Sequence, residues 1–370
     1  MDSKRFALIV ITIVMLALGF TGGYLYTLSK YTLHTLTTTV TETIYKTITS
    51  PYPITTEVSS VSIVTKPTNL STTSISTYTY TITLLFIETM TKTISSSTQI
   101  VLRYPSIHLT KIDFNNDGIY DAVVEINPWN MKSAKGDQIM IIDVLKKSIE
   151  TNISLIDVIP AEWVNGYPEI AIGRKPWYTS YANGFRVSFP MKIRNATPFV
   201  ISFYICIKDL HPQMNLNIAA DAWIVREAIA KSPGTAPSNG DLEIMVWLFN
   251  QNLNPAGNKV GEITIPIALN ESIVNAQWEV WRMDSVSWGG WQYIAFKPKG
   301  WRHICGYVAY NPIDFVKAAA KFATFDISNH YLLGWEIGTE WGARTSNGVA
   351  RLSWILKDFE VIPGASIQKQ

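Results

Sequence analysis

The sequence predicts an all-β fold, a sandwich or jelly roll, in the residues after position 98. Short runs rich in Val, Ile, Tyr and Trp recur along this part of the chain, and Gly, Pro and Asn turns separate them. Examples are DAVVEI, FVISFYICI, LEIMVWLF, QWEVWRM and YLLGWEIGTEW. Many short strands at such spacing, with a single helix-like segment among them, are typical of two-sheet sandwiches and jelly rolls.

The one helix is expected in the segment NPIDFVKAAAKFATF. Asn311 can cap its start, Pro312 suits the first turn, and Asp314 lies near the positive end of the helix dipole. Apolar residues at helical spacing predict the buried face of this helix. They are Phe315, Ala319 and Phe322.

Composition divides the 370 residues into three parts, of which the first is residues 1–30. An uninterrupted apolar run at positions 7–20 follows MDSKR and predicts a segment that enters the membrane, as a signal anchor or a signal peptide. Lys4 and Arg5 place the N-terminus on the cytoplasmic side, so the rest of the chain is expected outside the cell, anchored at the surface or secreted. The lack of a clean cleavage site favours the anchor.

Residues 31–98 are predicted to form an extracellular stalk. Nearly every second residue is Thr or Ser, as in TLTTTVTETIYKTITS. Such segments resist helix formation, bury little apolar area and carry O-linked sugar in exported chains. The alternative is an additional β-domain, because YTYTITLLFIETM alternates like a strand. Residues 99–370 then form one globular domain, long enough for a large core and expected to be a monomer.

Charge and cysteine content exclude several functions. Lys and Arg total 31 against 29 Asp and Glu, with no basic run between aromatics, so nucleic acid is not an expected partner. The 13 Trp and 17 Tyr residues suit stacking on sugar rings or a large aromatic core. Cys206 and Cys305 lack the spacing of a metal site, and they either pair or remain buried thiols.

The segment DFNNDGIYD resembles a calcium-binding loop. It places oxygen-bearing side chains at alternate loop positions, and Gly118 would make the sharp turn between them. The candidate ligands are Asp113, Asn115, Asp117 and Asp121. The alternative is a plain hairpin turn at Asn-Asp-Gly. Calcium here would be structural, and catalysis is expected to need no cofactor.

Two strands carry carboxylates that could act together. The strand period of two places Glu243, Met245 and Trp247 on one face of LEIMVWLF, so a carboxylate shares a face with an aromatic ring. The same period places Glu336 and Glu340 on one face of YLLGWEIGTEW. Paired carboxylates are what retaining glycoside hydrolysis requires. The alternative for each acid is an exposed surface charge.

The motifs together resemble a known family. NGYPEIAIGRKPW, DAWIV, LEIMVWLFNQNLNPAGNKVG, QWEVWRM, YNPIDFVKAAAKF and GTEWG follow one another in the order of glycoside hydrolase family 12, the compact endoglucanases. The resemblance covers residues 123–361 and is to secreted prokaryotic members of archaeal type. It implies a two-sheet β-jelly-roll sandwich with one helix and an open concave groove that holds a β-glucan polysaccharide.

The resemblance also implies the chemistry, which is endo-acting hydrolysis of β-1,4-glucosidic bonds in cellulose-like or mixed-linkage glucans with retention of configuration. Glu243 matches the nucleophile in E-I-M-V-W, and Glu340 matches the acid/base in G-T-E. Asp221 in DAWIV matches an aspartate beside the nucleophile that helps set its protonation. Glu336 is a competing candidate for the acid.

Further positions match substrate-binding residues of the family. Met245 and Trp247 match groove-lining positions, whereas Trp129 and Asn127 in NPWN match a sugar-stacking platform and its polar neighbour. The wording NPWN departs from the family's N-N-x-W-G. Two alternatives remain, a xylan-cleaving enzyme on the same jelly roll and a non-catalytic carbohydrate-binding or adhesion module, which would have no use for paired acids.

Overall fold

The structure is a computed structural model that describes residues 99–105, 109–179, 181–270 and 272–367, with four short strands before them. Those strands are β1 (Thr39–Val40), β2 (Thr56–Val58), β3 (Ile63–Val64) and β4 (Tyr80–Ile82). They belong to a unit of Met1–Ser96 and pair antiparallel, β1 with β3 and β2 with β4. The predicted membrane segment and most of the predicted stalk lie outside the described residues. No helix within the described ranges has the length and apolar character needed to cross a membrane.

The second unit, Ser97–Gln370, contains strands and few helices. Its first strands are β5 (Gln99–Arg103), β6 (Leu109–Ile112), β7 (Ala122–Glu125), β8 (Ser133–Asp143), β9 (Ser148–Ile159), β10 (Glu169–Gly173), β11 (Met191–Lys192), β12 (Phe199–Leu210) and β13 (Asn215–Val225). The later strands are β14 (Leu242–Gln251), β15 (Asn258–Leu269), β16 (Ser272–Met283), β17 (Gln292–Pro298), β18 (Cys305–Tyr310), β19 (Tyr331–Leu332), β20 (Gly334–Gly338), β21 (Trp341–Gly342) and β22 (Ala350–Pro363).

These strands confirm the predicted jelly roll, with one difference in how its two layers are joined. Hydrogen bonding runs through one layer from β5 through β8, β9, β22, β12 and β18, and through the other from β6 through β7, β10, β20, β13, β14 and β17. The long hairpin β15–β16 bonds to β18 on one side and to β17 on the other. This hairpin therefore connects the two layers, because long twisted strands can take part in both. As a result, the hydrogen bonds among the described residues form one continuous sheet of 18 strands.

Within the described residues the helices are few, and the predicted one is present. They are a 3₁₀ turn (Ile193–Asn195), α1 (Glu227–Ala230), which was not predicted, and α2 (Pro312–Ala319), which is the predicted helix. The predicted cap is confirmed, because Asn311 Oδ1 accepts the Ile313 backbone N–H at 3.0 Å. Phe315 is buried on the core side of α2, whereas Phe322 follows the end of the helix and packs half-buried against the core.

The two cysteines, whose pairing the sequence left open, form a disulfide. Cys206 in β12 lies directly opposite Cys305 in β18 in the register of the two strands. The bond therefore joins neighbouring strands of the layer away from the catalytic candidates.

Successive side chains of β14 point alternately to the two faces of its layer. Ile244 and Val246 enter the main apolar core, whereas Met245 and Trp247 belong to a second, smaller cluster on the opposite face. The neighbouring strands obey the same period. We call the face that bears Glu243 the carboxylate face.

Candidate active site

Strand register collects acids on the carboxylate face from chain positions far apart. Glu336 in β20 is the cross-strand partner of Asp221 in β13, and Asp221 in turn lies opposite Met245 in β14, two residues from Glu243. Glu169 in β10 lies opposite Glu125 in β7 on one side and Gly338 in β20 on the other. The neighbouring strands β7, β10, β20, β13 and β14 therefore each place an acid in one row across the sheet.

The surroundings of this row are apolar and aromatic. The second cluster consists mainly of large side chains on β13, β14 and β17 and on the loops beside them, among them Trp223, Met245, Trp247, Trp291 and Tyr293. Burial among such groups disfavours a charged carboxylate. It raises the pKa of Glu243 to about 8, with a further contribution from the charge of Glu340, and it raises the pKa of Glu340 to about 7.

Among the described residues, one hydrogen bond holds the Glu243 side chain. Trp291 Nε1 donates to Glu243 Oε2 at 2.6 Å. This bond favours the ionised carboxylate and opposes the effect of burial on its pKa. The side chain of Glu243 keeps part of its surface accessible, which a nucleophile toward a polymer requires.

Glu340 lies in the short loop between β20 and β21 and is held at two points by one residue. Asn217 Nδ2 donates to Glu340 Oε2 at 2.5 Å, and Asn217 Oδ1 accepts the backbone N–H of Glu340 at 3.0 Å. Both bonds are made by a neutral side chain. The carboxyl group of Glu340 is therefore oriented without being locked as an anion by a cation.

Glu336, the competing candidate, has a different environment. It is 3% exposed, and its Oε2 lies 3.7 Å from the ammonium group of Lys175. Lys175 Nζ also lies 3.1 Å from Glu125 Oε2 and contacts Glu169 Oε1 directly. Buried carboxylates hold the pKa of Lys175 well above its ordinary value, although burial alone would lower it. Glu336 thus belongs to a buried ion cluster, and Glu340 does not.

Asp221 lies beside both catalytic candidates. It is 8% exposed, and its Oδ1 is buried without a hydrogen-bond partner in the described part of the chain. Burial, followed by the charges of Glu243 and Glu340, raises its pKa well above the ordinary value. The raised pKa favours the uncharged form of Asp221 and so reduces the negative charge beside Glu243 and Glu340.

The predicted substrate-binding residues divide into exposed and buried groups. Trp129 is 52% exposed, and Asn127 donates from Nδ2 to Glu169 Oε1 at 3.1 Å. Met245 and Trp247 are 3% and 1% exposed, so they lie beneath the surface of the carboxylate face. Of these four residues, only Trp129 offers the open ring that stacking on a sugar requires. Their contact with substrate stays a prediction.

Three further tryptophans are also exposed and were not singled out from the sequence. Trp163, Trp177 and Trp288 are 47%, 47% and 65% exposed. Trp177 packs edge-on against Trp223 at 5.0 Å between ring centroids, and Trp223 packs in the same way on Trp291 at 5.1 Å. Aromatic contacts therefore run from the surface to the residue that binds Glu243.

The fold and the carboxylate row can be compared with known proteins. The profile of glycosyl hydrolase family 12 matches residues 120–359, more than half of the chain. This chain belongs to glycosyl hydrolase family 12. No curated protein sequence gives a match.

Solved structures show the same jelly roll. The chain is similar to a family 12 xyloglucanase from Bacillus licheniformis, with a TM-score of 0.55 and 20% identity over 71% of this chain and 99% of that one. It is also similar to an endoglucanase from Rhodothermus marinus, with a TM-score of 0.50 and 20% identity over 71% and 98% of the two chains. A metagenome-derived family 12 endoglucanase gives a TM-score of 0.50 at 18% identity over 72% and 97%.

The acidic loop before β7 folds as a sharp turn in this family 12 domain. Asp113 accepts the backbone N–H groups of Asp117 and Gly118, and Asn115 also accepts that of Asp117. Asp121 accepts the Phe114 N–H through Oδ2 at 2.7 Å, while its Oδ1 is buried without a partner. No group of three or more Asp, Glu, His or Cys side chains converges on a metal position anywhere in the described residues. Calcium binding therefore stays a prediction.

Several residues of the site escaped the sequence reasoning. Glu169 and Lys175 both lie in the family-like run NGYPEIAIGRKPW. The motif draws attention to these residues but does not reveal which side chains they contact. Glu125 ends a strand, and Asn217 lies four residues before Asp221 on the same strand. Their roles depend on cross-strand register, which residue spacing within one strand does not reveal.

The first prediction concerns stability and Glu336, whose pKa burial raises from 4.5 to about 8. The folded state binds this proton more tightly than the unfolded chain, so the associated stability is present below pH 4.5 and is lost as pH rises through about 8. The unfolding free energy of the wild type should fall between pH 5 and pH 8. In Glu336→Gln this fall should be smaller by about 1–3 kcal/mol, because glutamine does not titrate.

Urea denaturation of the globular domain at both pH values measures this difference. Glu150→Gln serves as the matched control, because Glu150 is exposed on β9. Equal pH slopes for wild type and Glu336→Gln would show that Glu336 does not titrate in this range.

Proposed function

We propose that this chain is an endo-acting, retaining β-1,4-glucanase in which Glu243 is the nucleophile and Glu340 is the acid/base. The observation that carries the proposal is the difference between the acids of the carboxylate face. Glu243 and Glu340 are partly accessible and are held by neutral donors, whereas Glu169 and Glu336 are buried against Lys175. Membership of family 12 and the endoglucanase and xyloglucanase neighbours support the same reaction class.

The environment of the pair suits a double displacement. The pKa values of Glu243 and Glu340 are raised to about 8 and about 7, so the two acids hold protons near neutral pH. The reaction starts from the state in which Glu340 carries the proton, and Glu340 donates it to the glycosidic oxygen as the bond to the leaving sugar breaks. The Glu243 carboxylate attacks the anomeric carbon and forms a glycosyl ester. Esterification removes the negative charge of Glu243, so the remaining Glu340 carboxylate can take a proton from the water that cleaves the ester.

Asp221 supports this cycle by remaining uncharged. A second anion beside Glu243 would raise the pKa of the nucleophile further. Burial favours the protonated form of Asp221, and repulsion between Glu243 and Glu340 favours a state in which these two acids share one negative charge. That single charge is the state a retaining glycosidase needs before it attacks.

For the substrate we propose cellulose-like or mixed-linkage β-glucan. The exposed rings of Trp129 and Trp177 offer flat apolar surfaces for sugar rings, whereas the Arg344 guanidinium lies over the Trp163 ring at 5.1 Å from its centroid. Xylan differs by a missing hydroxymethyl group, which an open site distinguishes only weakly. The B. licheniformis neighbour is a xyloglucanase, so a branched glucan belongs in the same comparison.

The second prediction tests nucleophile and substrate together. The wild-type domain is expected to cleave carboxymethylcellulose and barley glucan faster than xylan, with xyloglucan as a further substrate in the panel. Glu243→Gln should fall below about 1% of wild-type turnover on the best substrate, because an amide cannot form the ester. More than a tenth of wild-type turnover in a correctly folded variant would show that another residue is the nucleophile.

The third prediction separates Glu340 from Glu336. Glu340→Ala should slow hydrolysis of a natural glucan by about 10²-fold or more, because the leaving oxygen is no longer protonated. An aryl glycoside with a good leaving group should suffer far less in its first step, and azide should then accelerate turnover by replacing water.

Glu336→Ala is the matched control, since it removes an acid from the same face without changing the Asn217 contacts of Glu340. It should show neither leaving-group dependence nor azide rescue. If those two signatures appear with Glu336→Ala and not with Glu340→Ala, the acid/base is Glu336.

Export of the enzyme is also part of the proposal. The apolar N-terminal segment and the Thr/Ser-rich stretch favour a domain held outside the cell by a membrane anchor or released from it. The Cys206–Cys305 disulfide supports an oxidising compartment. The monomeric state and the likeness to archaeal secreted members remain predictions.

A structural calcium ion in the acidic loop is a separate proposal. Asp121 Oδ1 is buried and has no hydrogen-bond partner among the described residues, and burial, followed by the charges of Asp113 and Asp117, raises the pKa of Asp121. A bound cation would satisfy these oxygen atoms. The turn at Gly118 has φ +87°, which lets the loop fold back on itself. Asp113, Asn115, Asp117 and Asp121 would hold the ion.

The fourth prediction follows from linkage between binding and folding. Chelation should lower the melting temperature of the domain by about 5 °C relative to excess calcium, because a ligand of the folded state stabilises it by mass action. The double variant Asp113→Asn/Asp117→Asn should not respond to calcium. Identical melting curves for metal-free and calcium-loaded wild type, with metal removal verified by elemental analysis, would rule the site out.

A further inference from the structure

We propose that Trp291 is a positioning residue that fixes the Glu243 carboxylate for attack, and that the turn Trp-Gly-Gly at residues 288–290 exists to hold its indole ring. The inference rests on the proposed role of Glu243 as the nucleophile. It assigns Oε1 as the attacking oxygen and Oε2 as the oxygen held by the protein. Trp291 itself does not touch the substrate's reacting atoms.

The contact between the two residues is specific. Trp291 is 6% exposed, and its Nε1 donates to Glu243 Oε2 at 2.6 Å, a short bond typical of a charged acceptor. Glu243 Oε1 receives no hydrogen bond from the described residues. A carboxylate held by one oxygen keeps the other free to approach the anomeric carbon.

Strand pairing explains why the ring can reach this acid. Trp291 immediately precedes β17, which runs parallel to β14, and Tyr293 is the cross-strand partner of Glu243. Trp291 and Tyr293 lie two residues apart and both belong to the cluster on the carboxylate face. The Trp291 indole therefore begins two residues before the position opposite Glu243 and extends across the same face.

The turn before Trp291 is shaped to receive the ring. A Cβ added to Gly289 would lie 1.6 Å from the Trp291 ring, so no other residue fits at this position without displacing the indole. Gly290 has φ +80°, a conformation that side chains disfavour, and its N–H donates to the Val286 carbonyl at 2.8 Å. The Val286 N–H in turn donates to the Trp291 carbonyl at 2.9 Å, which closes the turn.

Neighbouring rings hold the indole from other sides. Trp223 meets it edge-on at 5.1 Å between centroids, and Trp288 meets it at 6.3 Å. The Gly289 backbone packs against the Trp291 ring, and the rings of Trp223 and Trp288 lie beside it. These contacts leave little room for another rotamer of Trp291. A tryptophan used only to fill space would need burial but not a donor aimed at a carboxylate. The indole N–H is therefore the feature that the test must isolate.

Trp291→Phe isolates it, because the variant keeps an aromatic ring and loses the donor. The pH dependence of kcat/KM on a soluble glucan reports ionisation of the free enzyme. We expect the acidic limb to move to higher pH by about 1 unit, since the lost bond favoured the ionised carboxylate. The rate of covalent inactivation by an activated 2-fluoro-cellobioside, which needs only the nucleophile, should show the same shift.

Two further variants complete the experiment. Gly289→Ala should reproduce the shift while leaving Trp291 in the sequence, because the new methyl group displaces the ring. Trp301→Phe is the matched control, since Trp301 also loses an indole hydrogen bond, to the Gln277 carbonyl, but touches no catalytic acid. It should leave the acidic limb unchanged. Melting curves of all three variants separate the pH shift from general loss of stability.

The outcomes distinguish this inference from the function on which it rests. An unchanged acidic limb in folded Trp291→Phe, together with an inactive Glu243→Gln, overturns the role of Trp291 and leaves the nucleophile assignment intact. An active Glu243→Gln overturns both. A loss of melting temperature without any pH shift reduces Trp291 to a packing residue. A common shift in Trp291→Phe and Gly289→Ala, absent from Trp301→Phe, supports the inference.

Discussion

Burial of several carboxylates on one face of a β-sheet is the constraint on which the rest of this structure depends. Each buried anion loses hydration, and like charges at close range oppose one another. The face carries Glu169, Asp221, Glu243, Glu336 and Glu340, with Lys175 as the buried cation among them. The chain meets this constraint in two different ways, and the difference separates scaffold from chemistry.

Glu169 and Glu336 are compensated by charge, whereas Glu243 and Glu340 are compensated by neutral donors. Burial raises the pKa values of Glu169 and Glu336, and the nearby ammonium group of Lys175 opposes that rise. An amide or an indole orients the carboxylate while leaving protonation close in energy to ionisation. The proposed assignment of proton transfer to Glu340 rests on this difference in partners, since Asn217 holds Glu340 whereas Lys175 lies beside Glu336.

The local features of this fold could be predicted from sequence, and the long-range ones could not. Alternation placed Glu243, Met245 and Trp247 on one face, and the cap at Asn311 was evident from residue type. The chain separation between Lys175 and Glu336 hides their contact, because register is a property of several strands at once. A bulge at Leu248 shifts the β13–β14 register, and the strand period cannot reveal it. The Trp291 contact depends on a turn whose glycines read as an ordinary loop.

The raised pKa values of the carboxylate face also explain how it can bind an uncharged polymer. Burial raises the pKa values of Asp221, Glu243 and Glu340, so the net negative charge of the face is smaller than its number of acids. A strongly anionic surface would retain ordered water that sugar hydroxyls must displace, whereas a nearly neutral one with aromatic edges loses water more readily. The same burial that costs stability in the free protein therefore lowers the negative charge that an uncharged polysaccharide would meet on this face.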